Sequence, residues 1–378
     1  MTKKTLVIDD AVPYAKEIFS HLGEVITLPG RDICNHHLLN ADALIVRSRT
    51  QVNESLLKNT AVKYVGSTVV GLDHIDQHYL STEGITFYSA QGCNANSVAE
   101  YVITILFQLA EHFGFDLSRK TLAIIGVGNV GSRVYSKAKI LGIECLLNDP
   151  PKIEANPDLL LNEPYTDLDT CLKADIITVH TPLTSNGKHP TLDLISAEKL
   201  KRVEPHQIII NAARGGIINE AAWSKTKTLA NIIDCWENEP YIDKALYDTA
   251  FIATPHIAGH SLDAKVAGSS MVYGNLCKHW QITPDKSWQK ALPKSPEPIE
   301  IQNLANKQAT LCQIFSKTHN PQADDLAIRS ENHDEVEKKY EKFRRNFPVY
   351  REWQQQKVLL PSDKNLCNTL LSLGFRCH

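Results

Sequence analysis

Residues 123–131 read Ala-Ile-Ile-Gly-Val-Gly-Asn-Val-Gly, and residues 146–149 read Leu-Leu-Asn-Asp. A short apolar run feeds a G-x-G-x-x-G turn. A helix-compatible segment, Ser132 to Leu141, comes next, and a second apolar run ends at an acid 18 positions after the third glycine. Strand, turn, helix, strand and acid in this order predict a βαβ unit that binds a dinucleotide. Gly126 allows the tight turn, Gly128 lets the backbone approach a pyrophosphate, and Gly131 lets the helix pack close to the strand. Asn129 and Val130 complete the turn, where the helix N-terminus offers free N–H groups and a positive dipole end to phosphate. Asp149 can accept hydrogen bonds from ribose hydroxyls, and its charge would repel a 2′-phosphate. The expected cofactor is therefore NAD rather than NADP.

The rest of the chain limits what surrounds this unit. At 378 residues there is material for two or three domains. A formal charge of −3 gives no footprint for nucleic acid or an anionic membrane. The N-terminus has two lysines but only a short apolar run, Leu6 to Ile8, which reads as a first strand and not a signal peptide. No stretch approaches the roughly 18 apolar residues of a spanning helix. Nine scattered cysteines form no C-x-x-C pair, which fits a reducing cytoplasm. The histidines, including His36-His37, lack zinc spacing, so no metal site is expected.

Strand and helix signals alternate along the first 100 residues. Leu6–Asp9, Ala43–Val46, Val62–Val65 and Ile85–Tyr88 read as strands, and Ala11 to Leu22 as a helix with Pro13 in its first turn. A long apolar-periodic helix over Ser97–Phe113 leads to the glycine motif. Strands then follow at Thr121–Ile125, Glu144–Leu147, Asp175–Val179, Gln207–Ile210, Asn231–Asp234 and Phe251–Ala253. This predicts an α/β chain with doubly wound parallel sheets and a nucleotide site at a switch point. Proline-rich sequence over 282–298 reads as a linker, followed by a polar segment that packs on something else.

Four clusters near strand ends could carry chemistry. Arg214, in Asn211-Ala-Ala-Arg-Gly-Gly216, could grip a carboxylate with two hydrogen bonds, or could pair with a surface acid. Asp234, Glu237 and Glu239 follow a strand, where one could orient a histidine and another hold a nicotinamide or ribose; a solvated acidic turn closed by Pro240 is the other reading. His256 follows a strand and a proline, and it could take a proton from an alcohol or be structural. Arg47, Ser48 and Arg49, with the Gly66–Gly71 loop, could hold a phosphorylated or carboxylated substrate or simply cap loops.

The ordered set resembles the D-2-hydroxyacid dehydrogenase family: the glycine motif, N-x-A-R-G, D-x-W-E-x-E-P, then P-H-I-A-G. Details are similar to one branch of it, at Asp9-Asp-Ala-Val-Pro13, Val46-Arg-Ser48, Gln91-Gly-Cys-Asn-Ala95, Asp149-Pro-Pro151 and His180-Thr-Pro-Leu183. The third segment, with Phe343-Arg-Arg-Asn-Phe347 and Arg351-Glu-Trp353, resembles the C-terminal dimerisation domain of that branch. The resemblance implies a flavodoxin-like substrate domain over 1–95, completed by about 257–282. It also implies a Rossmann NAD domain over 96–256 and a small α+β dimerisation domain over 287–378.

Carried over, the resemblance implies NAD-dependent oxidation of a small phosphorylated hydroxy acid by a homodimer. A cleft between domains would close on its contents and exclude water. Arg214 would bind the substrate carboxylate, His256 would take the hydroxyl proton, and Glu239 would orient His256. Thr181, Asp234 and Gly259 would line the NAD site beside Asp149. Ser48, Val69 and His260 fall at substrate positions, with His260 where tyrosine is usual and Val69 where threonine is frequent. Ser67, Thr68 or backbone N–H groups would then substitute for the missing hydroxyl. Arg47 is the expected phosphate ligand, helped by Arg344 or Arg345 across the dimer. Long helices near the glycine motif, including 97–113, would form the dimer contact. The alternatives are another enzyme of the family, of 3-phosphoglycerate or glyoxylate type, or a non-catalytic NAD-sensing protein on the same fold.

Overall fold

The computed structural model describes residues 4–302, 306–361 and 363–377. Its contacts divide the chain into two units, 1–94 with 261–294, and 95–260 with 295–378.

In the first unit, short apolar runs form five strands: β1 (Lys4–Asp9), β2 (Gly23–Leu28), β3 (Ala43–Val46), β4 (Tyr64–Ser67) and β5 (Thr86–Ser89). All pair in parallel, in the order β2-β1-β3-β4-β5. That is the flavodoxin-like winding. Leu6, Ile8, Ala43 and Ile45 pack on one face, and Val7, Leu44 and Val46 on the other. Continuous apolar strands are what a parallel sheet covered on both sides requires. The helix Leu262–Trp280 returns to this unit and places Val272, Tyr273 and Leu276 in its core.

Two local expectations change here. The helix expected over 11–22 is confined to Ala15–Phe19, because Tyr14 takes a left-handed conformation (φ 54°) at its start. The following β2 has no sequence counterpart above. It is an edge strand with half-exposed residues, so it lacks a continuous apolar run. The expected linker also has structure: Ser287–Ala291 forms a 3-10 turn that buries Trp288 in the first unit's core.

The second unit carries six parallel strands: β6 (Thr121–Ile125), β7 (Glu144–Asn148), β8 (Ile176–Val179), β9 (Ile208–Asn211), β10 (Ala230–Ile233) and β11 (Ala250–Ala253). Their order is β11-β10-β9-β8-β6-β7, with a single bridge from Leu147 to Tyr165 beyond β7. The order reverses between β6 and β8, which is where a doubly wound sheet leaves its crevice.

The segment after residue 295 packs within this second unit. It adds a small parallel sheet of β12 (Ile299–Glu300), β13 (Lys357–Leu359) and β14 (Arg376–Cys377). Phe315, on the helix Lys307–Thr318, meets Phe107 edge-on at 5.0 Å and stacks on Trp353 at 4.4 Å. Phe107 belongs to the helix Ala95–Phe113, which is buried from Ser97 to Ala110 by its own chain. That helix has no apolar face left for the partner contact expected of it.

Charge also ties the tail down. Asn96 donates to both Glu100 (2.8 Å) and Glu352 (2.7 Å), and the Trp353 N–H donates to Glu100. Lys137, on the glycine-turn helix, lies 3.8 Å from Glu100 and 4.8 Å from the Trp353 ring. Burial raises the Glu100 carboxyl and lowers the Lys137 ammonium, so each is less readily charged than in water. All nine cysteines are free thiols. Among the described residues, no helix is long and apolar enough to cross a membrane.

Candidate active site

The glycine turn joins β6 to the helix Asn129–Ile140. A Cβ on Gly131 would stand 2.0 Å from the Gly126 carbonyl oxygen, so only glycine lets this helix start so close to the strand. Gly126 has φ +87°, and a Cβ there would meet the His180–Thr181 backbone at 2.8 Å. A Cβ on Gly128 would meet nothing within 4 Å. Its freedom is therefore not demanded by the protein's own packing, which fits close approach by a ligand. The helix has no side-chain cap, leaving its first N–H groups for phosphate.

Two further observations fit a dinucleotide at this place. The Thr181 hydroxyl is buried with no partner among the described residues. Asp149 directly follows the strand β7 beside the turn, where its carboxylate accepts from the Val127 N–H (2.8 Å) and caps the next helix through the Lys152 N–H (3.1 Å). The acid is thus pinned to the glycine loop. His180 follows β8, and burial pushes its imidazole down to about 3, so it stays neutral.

Three neighbouring strands deliver the chemical groups. Ile233 at the end of β10 lies beside both Asn211 of β9 and Ala253 of β11. The loops that follow all three therefore open at the same edge of the sheet. In the first loop, Asn211 organises the turn: its side chain donates to the carbonyls of Arg214 and Cys235 and accepts from the Ala213 N–H. Gly215 allows the second loop to press close, since a Cβ there would be 2.2 Å from the Glu237 nitrogen. Arg214 is half-buried, with one Nη on the Ala213 carbonyl at 2.8 Å.

The second and third loops meet directly. Nδ1 of His256 donates to Glu239, 2.9 Å from Oε2 and 3.1 Å from Oε1. The Trp236 N–H donates to Oε1 as well. Burial pushes the Glu239 carboxyl up, but the His256 charge and hydrogen bond, the Trp236 N–H and the Arg344 guanidinium outweigh it. The carboxyl ends below its ordinary value and stays ionised.

His256 itself has φ 55°, a strained conformation for a non-glycine residue. The loop is held there by Asp234. Its carboxylate accepts from the Thr254 hydroxyl (2.7 Å), the Ile257 N–H (2.8 Å) and the Ala258 N–H (3.1 Å), and its carbonyl accepts from the His256 N–H. Asp234 is 1% exposed, so its carboxylate serves this loop from within the core. Gly259 and His260 continue the loop half-exposed, and the His260 ring meets Phe347 of the C-terminal segment edge-on at 5.9 Å.

Residues with no role in the sequence reading also shape the site. Glu220 accepts the Glu237 N–H at 2.7 Å, and burial raises its carboxyl to about 8. Asn211 stands in the N-x-A-R-G motif but had no role assigned there, and Glu220 and Thr254 show only as polar residues in a loop or at a strand end. The helix His333–Arg345 places Val336 and Tyr340 in the core that holds Trp236. Arg344 lies one further turn along that face, and its Nε is buried without a hydrogen-bond partner among the described residues. Its charge is felt at Glu239 of the same chain.

The remaining expected positions lie in the first unit. Arg47 follows β3 and donates from Nη1 to the Ala11 carbonyl at 3.1 Å. Ser48 is exposed, and Val69 is half-buried with its carbonyl accepting from Ser89. The hydroxyls expected to stand in for a threonine at Val69 are otherwise engaged. Ser67 donates to the Val69 carbonyl and Thr68 to the Val46 carbonyl, and both residues are buried.

Residues 99–258 match the family described as D-isomer specific 2-hydroxyacid dehydrogenase, NAD binding domain. The erythronate-4-phosphate dehydrogenase of Hydrogenovibrio crunogenus is 59% identical over 373 residues, covering 99% of this chain and 98% of its own. The chain belongs to the erythronate-4-phosphate dehydrogenase family. The enzyme of that name from Ruthia magnifica is 48% identical, covering 94% of this chain and 99% of its own. Among solved structures, NAD+-bound 3-phosphoglycerate dehydrogenase of Entamoeba histolytica superposes with a TM-score of 0.62 at 23% identity. It covers 74% of this chain and 96% of its own, which supports the fold. The family assignment makes the cofactor NAD and the chain an oxidoreductase, with Gly126–Gly131 and Asp149 as the residues that fit the dinucleotide.

Proposed function

We propose that this chain oxidises 4-phospho-D-erythronate at C2 to 2-oxo-3-hydroxy-4-phosphobutanoate, a step in pyridoxal 5′-phosphate formation. The observation that carries the reading is full-length likeness to erythronate-4-phosphate dehydrogenases, C-terminal segment included, joined to the His256–Glu239 pair at 2.9 Å. Bound NAD would accept the hydride. His256 takes the hydroxyl proton, with Glu239 fixing its ring and stabilising the imidazolium that results. Arg214 binds the substrate carboxylate and polarises the developing carbonyl. Asp234 holds the His256 loop in its strained form, and Thr181 and Gly259 line the dinucleotide. Ser48, Val69 and His260 contact substrate, and Arg47 takes the phosphate.

The C-terminal segment 287–378 supports a homodimer in this reading, through a face other than the helix 97–113. A cytoplasmic location fits the free cysteines. The test is turnover of 4-phospho-D-erythronate by purified protein with NAD and a 2-oxo acid acceptor, beside His256→Ala. Activity lost in that variant supports the reading. Oxidation of 3-phosphoglycerate with NAD, or reduction of glyoxylate with NADH, instead would keep the chemistry and discard the substrate. Bound NAD with no turnover of any of them would leave a non-catalytic NAD-sensing protein.

A further inference from the structure

A second cluster of chemically reactive side chains lies in the first unit, apart in sequence from every residue assigned above. Cys34, His36 and His37 stand at the start of the short helix Asn35–Leu38. The Cys34 sulfur is 3.1 Å from Nδ1 of His36 and 3.2 Å from Nδ1 of His37. One donor atom from each residue lies within 4.8 Å of the others. The two imidazole rings lie side by side, with centroids 3.9 Å apart.

The sulfur-to-nitrogen separations come close to those of a coordination sphere, while the two rings would have to splay from 3.9 Å to bring both nitrogens onto one ion. Zinc–sulfur bonds of about 2.3 Å and zinc–nitrogen bonds of about 2.0–2.1 Å at tetrahedral angles give S···N edges of roughly 3.5 Å. The sulfur-to-ring distances here are shorter by a few tenths of an ångström, so binding requires the three side chains to rotate apart.

The backbone that carries the three groups is already fixed. Ile33 and Leu38 flank the turn and are 6% and 0% exposed in the first unit's core. The Asn35 side chain donates to the carbonyls of Leu56 (3.0 Å) and Lys58 (2.9 Å), tying the turn to a neighbouring segment. The Cys34 N–H donates to Nδ1 of His37 at 3.2 Å, a long bond that a metal ion would replace. All three donors come from four consecutive residues, so binding closes no long loop.

We propose that Cys34, His36 and His37 form a binding site for a borderline-soft divalent cation, zinc foremost, with one coordination position open to water. The donor set decides the class: a thiolate with two imidazoles suits zinc and disfavours magnesium and calcium, which take oxygen ligands. The surroundings agree. Cys34 shares its surface cavity with Arg31 and Arg49, and no carboxylate lines it. Two guanidiniums disfavour an ion held by charge alone, so the bonds from the sulfur and the two ring nitrogens have to hold it. His36 is exposed, while Cys34 and His37 are half-buried, which leaves room for solvent on the ion.

The test uses Co(II) as a spectroscopic substitute for zinc on the full-length, metal-stripped protein. A thiolate-to-cobalt charge-transfer band with visible d–d bands is expected at one equivalent per chain. Zinc should displace it and millimolar magnesium should not. Cys34→Ser should abolish the charge-transfer band, and His36→Ala should weaken zinc binding at least tenfold. NAD-dependent turnover of Cys34→Ser without metal should equal that of the wild type. Cys235, Glu239 and His256 form another close donor set, so His256→Ala serves as the control and should leave the band intact. No charge-transfer band, a band that survives Cys34→Ser, or one that vanishes with His256→Ala would each overturn the proposal.

Discussion

Nδ1 of His256 lies 2.9 Å from Oε2 of Glu239, and the two residues reach each other from the ends of adjacent parallel strands. In the proposed reaction the contact fixes the ring through Nδ1 and leaves Nε2 to face substrate. His256→Ala is expected to lower kcat by about 10²–10⁴-fold, the usual contribution of a general base. Glu239→Gln should keep the fold and lower kcat by roughly 10²-fold with little change in KM for NAD. Steady-state kinetics check both. A Glu239→Gln enzyme within twofold of wild-type kcat would remove the orienting role.

The glycine turn separates packing from ligand approach. Gly131→Ala would place its Cβ 2.0 Å from a backbone oxygen, so it should cost about 1–3 kcal/mol and lower Tm. Gly128→Ala meets no protein atom within 4 Å, and its Tm should match wild type. Its NAD affinity should nevertheless fall by at least about tenfold, about 1.4 kcal/mol. Thermal melts and NAD titration of the two variants decide this. Unchanged NAD affinity in Gly128→Ala would show that the pyrophosphate does not pass close to that residue.

Arg344 helps to hold the Glu239 carboxyl below its ordinary value in the same chain. Removing the cation makes ionisation of Glu239 less favourable and raises its pKa. The acid limb of the kcat profile in Arg344→Met should therefore move to higher pH, with Arg344→Lys restoring most of it. KM for the phosphorylated substrate should change less than threefold. A KM rise of tenfold or more at unchanged kcat would instead make Arg344 a phosphate ligand.

Glu220 is neutral over much of the working range, because burial raises its carboxyl from 4.5 to about 8. Between those values the unfolded chain loses a proton that the folded chain keeps. Stability from this group is thus full below about pH 4.5, falls as pH rises and is lost above about pH 8. Glu220→Gln keeps an oxygen for the Glu237 N–H without that dependence. It should melt higher than wild type at pH 8.5, with the difference vanishing near pH 4. Equal melting temperatures at pH 8.5 would mean that the folded protein ionises Glu220 without penalty.

Much of the fold was legible because its signals are local. The strands 43–46 and 121–125 fall where their apolar runs place them, since a buried parallel strand must be apolar on both faces. The edge strand Gly23–Leu28 was not legible, because one of its sides is left to solvent and its residues are mixed. The linker reading of 282–298 missed Trp288, whose burial depends on a core formed by distant strands.

The sequence by itself determined the dinucleotide turn, its acid and the order of the catalytic motifs. Each depends on backbone conformations or residue types within a few positions of one another. Tertiary structure decided how they act together. Asp234 proves to anchor the His256 loop from the core, the helix 97–113 is covered by its own chain, and Arg344 acts on Glu239 across the fold. Such relations depend on which strands become neighbours and which faces are buried. Burial and long-range charge are properties of the packed chain, and no local pattern of residues encodes them.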